Sequence, residues 1–399
     1  MNTKFLKYFS LNKGGKNILV LFFAVKIILI AFILTFYNVL PFSSRDYEVN
    51  SDHFHGQEQS NIEQGFSPYD APQYLDIAYF GYKKIGEIDS KKFAFFPLYP
   101  FLIRLGAPFF GNDFTIAGII ISLVASLFGT IFFYKLVLLD ESEDTAFFSI
   151  KYFLIYPTAF FFCAVYTESL FFFLSILTFY LLRKKKWWMA GIAGLLGALT
   201  RPPGILLFLP FIIEFAVSLR GKKWKEYWLQ PLKKKISFLA AFLIPLGTLS
   251  YFIYLYFSIG NFFAYFDALS YWSRSKIGLG KLFTVLYDKI SNFNSLPLHS
   301  FYSSKLDLIF VLAFLVLLIF FYKKIRFSYF IYGLSVAILP LMSGQTMSLM
   351  RYLSVSFPVF LILGIAGAKN RTFDTALSLV WIMMLAILSL KLFNWYWVG

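Results

Sequence analysis

Long apolar runs, separated by short polar and basic segments, dominate this chain. Runs of about 17–25 residues recur, the length an α-helix needs to cross roughly 30 Å of hydrocarbon. They predict spans near 17–37, 115–138, 146–165, 167–182, 187–200, 204–219, 236–258, 306–322, 327–343, 352–366 and 373–393. The pattern therefore reads as an all-α polytopic membrane protein of about 11 helices, in a single domain over 1–399. Two polar stretches are long enough to be outer loops, 38–114 and 259–305. The run 146–182 is too long for one helix at about 1.5 Å per residue, so two spans turning near Tyr166-Thr167-Glu168 are expected. The first span has no small-residue cleavage site behind it and reads as an anchor.

Composition agrees with the pattern. The 399 residues are 59% apolar and only 15% charged, too few charges to cover a soluble protein of this size. With one cysteine, Cys163, an internal disulfide or a cysteine-rich metal site is excluded. The pair His53 and His55 flanks Phe54 without a third nitrogen or sulfur ligand nearby, so it reads as a solvated loop. Neither a metal, a cofactor nor a nucleic-acid partner is expected; the bilayer is.

The basic residues give an orientation. Clusters fall at Lys4 to Lys16, Arg183 to Lys186, Arg220 to Lys235, Lys323 to Arg326 and Lys369 to Arg371. Basic clusters between spans stay cytoplasmic. With all of these inside, Asp70, Glu168, Arg201, Arg274 and Arg351 land together at the opposite, outer face. Arginines there are not topology signals, which makes them candidates for binding anions.

The acidic residues are distributed unevenly. Of the 21, 9 lie between Phe42 and Asp89, just after the first span, although the net charge of the chain is +16. Carboxylates facing arginines at a membrane surface suit an anionic lipid that carries a group to be transferred. Such a transfer needs an acceptor hydroxyl relieved of its proton and a stabilised phosphate leaving group. Asp70 is the candidate base; Arg201 and Arg351, then Arg274, are the candidates for the phosphate, because a guanidinium fork matches its oxygens.

Each residue has a plainer reading. Asp70 follows Pro68 and precedes an amphipathic stretch, as a helix N-cap does. Glu168 at a turn is solvated or caps the next span, and Arg201 before two prolines is an interfacial anchor. Asp76 lies about 240° around a helix from Asp70 and would not share its face. Trp187, Trp188, Trp395 and Trp397 read as interfacial belt residues. The prolines of Phe95-Phe96-Pro97-Leu98-Tyr99-Pro100 cannot both sit inside one unbroken helix. That segment is expected to lie along the interface, covering the mouth of the site.

Motif order adds a resemblance. Tyr69-Asp70-Ala71-x-x-Tyr74-Leu75 is followed by Ala94-Phe95-Phe96-Pro97-Leu98-Tyr99-Pro100, then Tyr156-Pro157-Thr158-Ala159-Phe160-Phe161, Ala164-Val165-Tyr166-Thr167-Glu168-Ser169-Leu170 and Leu199-Thr200-Arg201-Pro202-x-Gly204. Together these resemble the mannosyltransferases that add the second mannose to GPI anchors, the PIG-V family, and their prokaryotic relatives. The likeness is dense over about 66–215 and returns near Trp272-x-Arg274 and Arg351-Tyr352-Leu353. It implies a GT-C type bundle with a large first outer loop. It implies a sugar taken from a polyprenyl-phosphate carrier such as dolichyl-phosphate-mannose, on the outer or lumenal side of a cell or endoplasmic reticulum membrane. The second partner would be a glycan or glycolipid acceptor. Asp70 matches the acidic residue of the family's Trp-Asp pair, with Tyr69 in place of Trp. Tyr69, Tyr74, Tyr99, Glu168 and Asp76 are the candidate substrate-binding residues. A lipid transporter or flippase, and a non-catalytic assembly subunit, stay open on the sequence alone.

Overall fold

A computed structural model describes residues 12–49, 54–82, 87–219, 236–272, 278–298, 304–343 and 346–398. Among these, every regular element is helical. The first half holds α1 (Lys13–Phe36), α2 (Ser44–Val49), α3 (Asn61–Phe66), α4 (Ala71–Phe80), α5 (Leu98–Gly106), α6 (Phe114–Val137), α7 (Glu143–Leu154), α8 (Glu168–Arg183) and α9 (Trp187–Thr200). The second half holds α10 (Phe208–Ser218), α11 (Leu243–Ile259), α12 (Ala264–Ala268), α13 (Leu279–Ser291), α14 (Lys305–Phe321), α15 (Phe327–Met342), α16 (Leu349–Leu353), α17 (Phe357–Lys369) and α18 (Arg371–Phe393). Five stretches are long and apolar enough to cross a membrane by themselves: Lys13–Val39, Phe114–Val137, Ser237–Ile259, Lys305–Lys324 and Arg371–Phe393. The other apolar helices are shorter and pack between them.

Most predicted spans match a helix to within a few residues. The exception is 146–165. Helix α7 ends at Leu154, and Ile155–Thr167 continues as turns with a single 3₁₀ stretch at Ala159–Phe162. Pro157 accounts for the break, since the residue before a proline is pushed out of the helical region and proline itself has no N–H to donate. This strap is buried along its whole length. Irregular backbone is tolerated at membrane depth only where protein covers it and supplies its hydrogen bonds. Here Lys26, from the middle of α1, reaches the carbonyl of Ala159 at 3.4 Å; Ser122 Oγ donates to Tyr166 O at 3.2 Å; and Val165 N–H donates to Phe66 O at 3.0 Å. Lys26 is a charged group inside an apolar helix, and this strap gives it a partner.

The segment with two prolines opens a helix, with Pro97 outside it. Pro97 is the N-cap of α5 and Pro100 lies in its first turn. The first N–H groups of a helix have no partner within it, so both prolines are accommodated at no cost in hydrogen bonds. Phe95 and Phe96 still reach the cavity described below.

Ion pairs separate the two ends of the bundle. Arg183, at the end of α8, pairs with Asp140 and hydrogen-bonds Tyr329, and Arg326 binds Glu214 through Nε and Nη2 at 3.0 Å each. Lys323 and Lys324 line the same recess as Asp140 and Arg326. Glu168 begins α8 at the other end, roughly 24 Å away along the helix axis. The cluster Arg220 to Lys235 lies outside the described residues, as do Lys4 and Lys7.

Close packing of α7 on α17 depends on Gly364. A Cβ there would sit 2.0 Å from Ser149 Oγ and 2.8 Å from Thr145 O. Gly364→Val is expected to destabilise the bundle by about 1–3 kcal/mol or more, the usual range for overpacking. Thermal unfolding in detergent reads this, with Gly280→Ala, whose Cβ meets nothing within 4 Å, as the neutral comparison.

Candidate active site

Four charged side chains from four separate elements meet at one end of the bundle. Asp70 precedes α4, Glu168 opens α8, Arg201 follows α9, and Arg351 sits in the short helix α16. Arg351 Nη1 lies 2.8 Å from Asp70 Oδ2, and its Nε lies 3.2 Å from Glu168 Oε1. The same Glu168 oxygen is 2.7 Å from Arg201 Nη1. One carboxylate oxygen thus binds two guanidiniums. The side chains of Glu168, Arg201 and Arg351 are 1%, 9% and 5% exposed, so the solvated reading of Glu168 and the anchor reading of Arg201 are both overturned. Among the described residues, the counter-charges of the buried Glu168 are these two arginines.

Local backbone explains how each group is aimed. Asp70 occupies an N-cap position, but its side chain makes no capping bond. Tyr69 before it adopts φ +55°, a left-handed conformation that costs a tyrosine on the order of 1–3 kcal/mol. Its ring is clamped between Trp395 and Trp397, at centroid distances of 5.3 and 4.7 Å, and its hydroxyl donates to Trp395 O. This strained turn directs the Asp70 carboxylate to Arg351. Arg201 leaves α9 in extended conformation ahead of Pro202, as a residue before proline prefers. Arg351 lies over the rings of Phe161, Tyr166 and Tyr352 at 5.2–5.4 Å, two of them supplied by the strap. Burial alone works against its charge; the Asp70 and Glu168 carboxylates outweigh that and raise its pKa above the ordinary arginine value.

Among the described residues, Asp70, Arg201 and Arg351 are the charged part of the wall of a cavity of about 170 Å³. Glu168 stands behind them, outside that wall. Phe95, Phe96, Tyr265, Leu269, Val336 and Met347 supply apolar surface. The contacts from Arg201 Nη1 and from Arg351 Nε and Nη1 to the carboxylates are close but not aligned as hydrogen bonds, so these buried groups retain donor capacity. An anion with several oxygens would use it.

The remaining candidates separate. Tyr74 lines the cavity, held edge-on against Phe95 and Tyr99 at 5.0 and 5.5 Å. Burial first, then the nearby Asp70 charge, raises its phenol pKa, so it is neutral at physiological pH. Tyr69 and Tyr99 do not line the cavity: Tyr69 is a packing residue, and Tyr99 donates to Gly118 O (3.0 Å) in the core beside Ser122 (2.7 Å). Asp76 faces away, bound by the His55 backbone N–H and ring Nδ1 at 2.9 Å each and by Lys92 at 3.3 Å. Trp395 and Trp397 are not belt residues; Trp395 is buried on Tyr69 and Trp397 reaches the cavity. Arg274 and His53 lie outside the described residues.

Asp307 escapes a reading based on span ends alone. It is buried in the first turn of α14, capped by Ser304, and accepts the backbone N–H of Met350 at 2.9 Å. Helix α16 has no side-chain cap of its own, since Ser348 there is left-handed. Asp307 thus fixes the start of the helix that carries Arg351. The signal was a carboxylate set within an apolar run, next to Ser304.

By sequence, no family profile matches this chain, and no curated protein does. By structure, it is similar to ArnT from Cupriavidus metallidurans. The crystal structure bound to undecaprenyl phosphate aligns with a TM-score of 0.51 at 12% identity, over 89% of this chain and 62% of that one. The apo crystal structure gives 0.51 at 14% identity, over 91% and 62%. The likeness shows that this chain shares the fold of that protein. It spans less than two thirds of ArnT's length.

Replacing Glu168 with Gln leaves two buried guanidiniums without their shared anion. A loss of about 3–5 kcal/mol is expected, against less for Asp70→Asn, because Arg351 then keeps Glu168. The two melting transitions, measured side by side in detergent, should rank in that order.

Proposed function

We propose that this chain is an integral membrane glycosyltransferase that takes its sugar from a polyprenyl-phosphate carrier. The carrying observation is the cavity wall that combines Asp70, Arg201 and Arg351 with an apolar surface. A lipid-linked sugar phosphate has the matching parts: an isoprenoid tail for Phe95, Phe96, Leu269 and Val336, an anion for the guanidiniums, and a sugar to be transferred. The resemblance of the GT-C fold to a protein that binds undecaprenyl phosphate supports the same class of donor. The motif likeness to the PIG-V family supports mannose as the sugar and a lipid-linked glycan as acceptor.

In this reading Asp70 is the base. Its Oδ2 faces Arg351, while Oδ1 makes no bond among the described residues. The acceptor hydroxyl gives its proton to that carboxylate as its oxygen bonds to the sugar's anomeric carbon. The bond from that carbon to the phosphate oxygen breaks, and the electron pair leaves with the phosphate. Arg351 and Arg201 stabilise the charge that develops there. Glu168 does not touch substrate; it positions both arginines. The basic clusters at the opposite end of the bundle support an outer or lumenal site with the N-terminus in the cytoplasm.

The purified chain in nanodiscs is expected to consume polyprenyl-phosphate-mannose and release mannose to water or to an acceptor. Asp70→Asn should slow this by on the order of 10²–10⁴, the usual contribution of a positioned base. An unchanged rate would remove Asp70 from the chemistry, and movement of the lipid without transfer would point to a carrier.

The arginines make a separate prediction. Arg201→Lys and Arg351→Lys keep the charge but lose the planar fork, so donor turnover should fall by at least about tenfold at either position. Donor affinity and rate at the wild-type level in both variants would refute the phosphate assignment.

A further inference from the structure

One polar hollow in the first outer loop is left unused by the donor site. It holds about 560 Å³ and lies between the Phe54–Gln64 segment and α2, with Tyr47, Phe54, His55, Glu58, Gln59 and Gln64 in its wall. Among the described residues, neither lysine nor arginine lines it. We propose that this hollow is the acceptor-glycan subsite and that it takes a neutral sugar. The proposal rests on the glycosyltransferase reading above and names the substrate class of its second site.

The side chains are fixed in place with their acceptor atoms left over. Gln59 spends its amide N–H groups on Ser67 Oγ at 2.9 Å and Thr115 Oγ1 at 2.8 Å. Gln64 spends one on Gln59 O at 3.2 Å. No described residue donates to either amide oxygen. His55 is held by Asp76 through its backbone and through Nδ1. A ring that donates from Nδ1 to a carboxylate presents Nε2 as an acceptor when neutral, and this side chain is 62% exposed. Glu58 is exposed and adds a carboxylate. A wall rich in acceptors suits a ligand rich in donors, and sugar hydroxyls are donors. The absence of cations from the wall disfavours phosphorylated and uronic sugars. The half-buried Tyr47 ring offers an apolar face of the kind a pyranose can lie against, while Phe54 is buried and packs on Tyr79 and Phe114.

Two routes connect this hollow to Asp70. His55 is tied to Asp76 on α4, six residues beyond Asp70, or roughly 9 Å along the helix axis. Tyr47 also packs edge-on against Trp395 at 4.8 Å, Trp395 packs on Tyr69, and Tyr69 on Trp397, which reaches the donor cavity. Trp395 and Tyr69 are buried, so this row fixes the position of the hollow relative to the base. The same arrangement gives Asp76 a use: it orients the imidazole and stays out of the proton transfer.

The test is saccharide binding by the full-length chain in nanodiscs, without donor, read by saturation-transfer NMR. The probes are mannobiose and chitobiose, with digalacturonate as the anionic comparison. The wild-type chain is expected to bind at least one neutral disaccharide, and digalacturonate more weakly. Glu58→Ala and His55→Ala should weaken binding about 3- to 10-fold, the effect of losing one hydrogen bond. Asp70→Asn should bind as wild type. If His55→Ala fails to fold, the surface variant Glu58→Ala carries the comparison. Donor hydrolysis to water is run in parallel on the wild-type chain and on Asp70→Asn. No binding of either neutral disaccharide, tighter binding of digalacturonate, or wild-type affinity in the folded hollow variants overturns the proposal. Hydrolysis insensitive to Asp70→Asn counts instead against the glycosyltransferase reading and leaves the binding result standing.

Discussion

Glu168 Oε1 pairs with two guanidiniums at once, at 2.7 and 3.2 Å, and the site is arranged around that ionic contact. A buried carboxylate between two arginines is expensive to desolvate, and an apolar replacement of the same shape is often no less stable. What the ionic arrangement supplies is placement. Arg201 comes from the end of one helix and Arg351 from a short helix far along the chain, and one anion sets their separation. Asp70 then brings the charge of the quartet to zero. A phosphate entering this cavity therefore meets two cations already partly neutralised, held at fixed positions, with donor capacity remaining. That is a suitable setting for stabilising a leaving group without trapping the product.

The broken helix after α7 serves the same end. A continuous span over 146–165 would have carried Phe161 and Tyr166 along a straight axis. By stopping at Leu154, the chain lays a buried strap across the bundle and places both rings against Arg351. The cost is backbone polar groups at membrane depth, which Lys26, Ser122 and Phe66 O satisfy. Asp307 does comparable work for α16 from the opposite side. Buried polar residues in the apolar helices thus hold the irregular segments that carry the site. The hollow near His55 follows the same logic at the surface, where Asp76 fixes a ring rather than performing chemistry.

Much of this was legible along the chain. Apolar run length determined the helices, because crossing hydrocarbon demands a fixed number of residues and forbids unpaired backbone. Basic clusters sorted Asp70, Glu168, Arg201 and Arg351 to one end before any packing was known. The angular spacing of Asp70 and Asp76 already set them on different faces. What the sequence could not decide was which of these charges touch. A turn glutamate is solvated or buried according to what packs over it, and four segments spread over some 280 positions had to close before Glu168 became the keystone. Tyr69 and Tyr99 look like Tyr74 in sequence, yet only Tyr74 faces the cavity, because ring direction depends on a strained φ at Tyr69 and on core packing at Tyr99. Span content follows from local run length, which any stretch of sequence carries by itself; the contacts that make a site are long-range, and only the tertiary structure sets them.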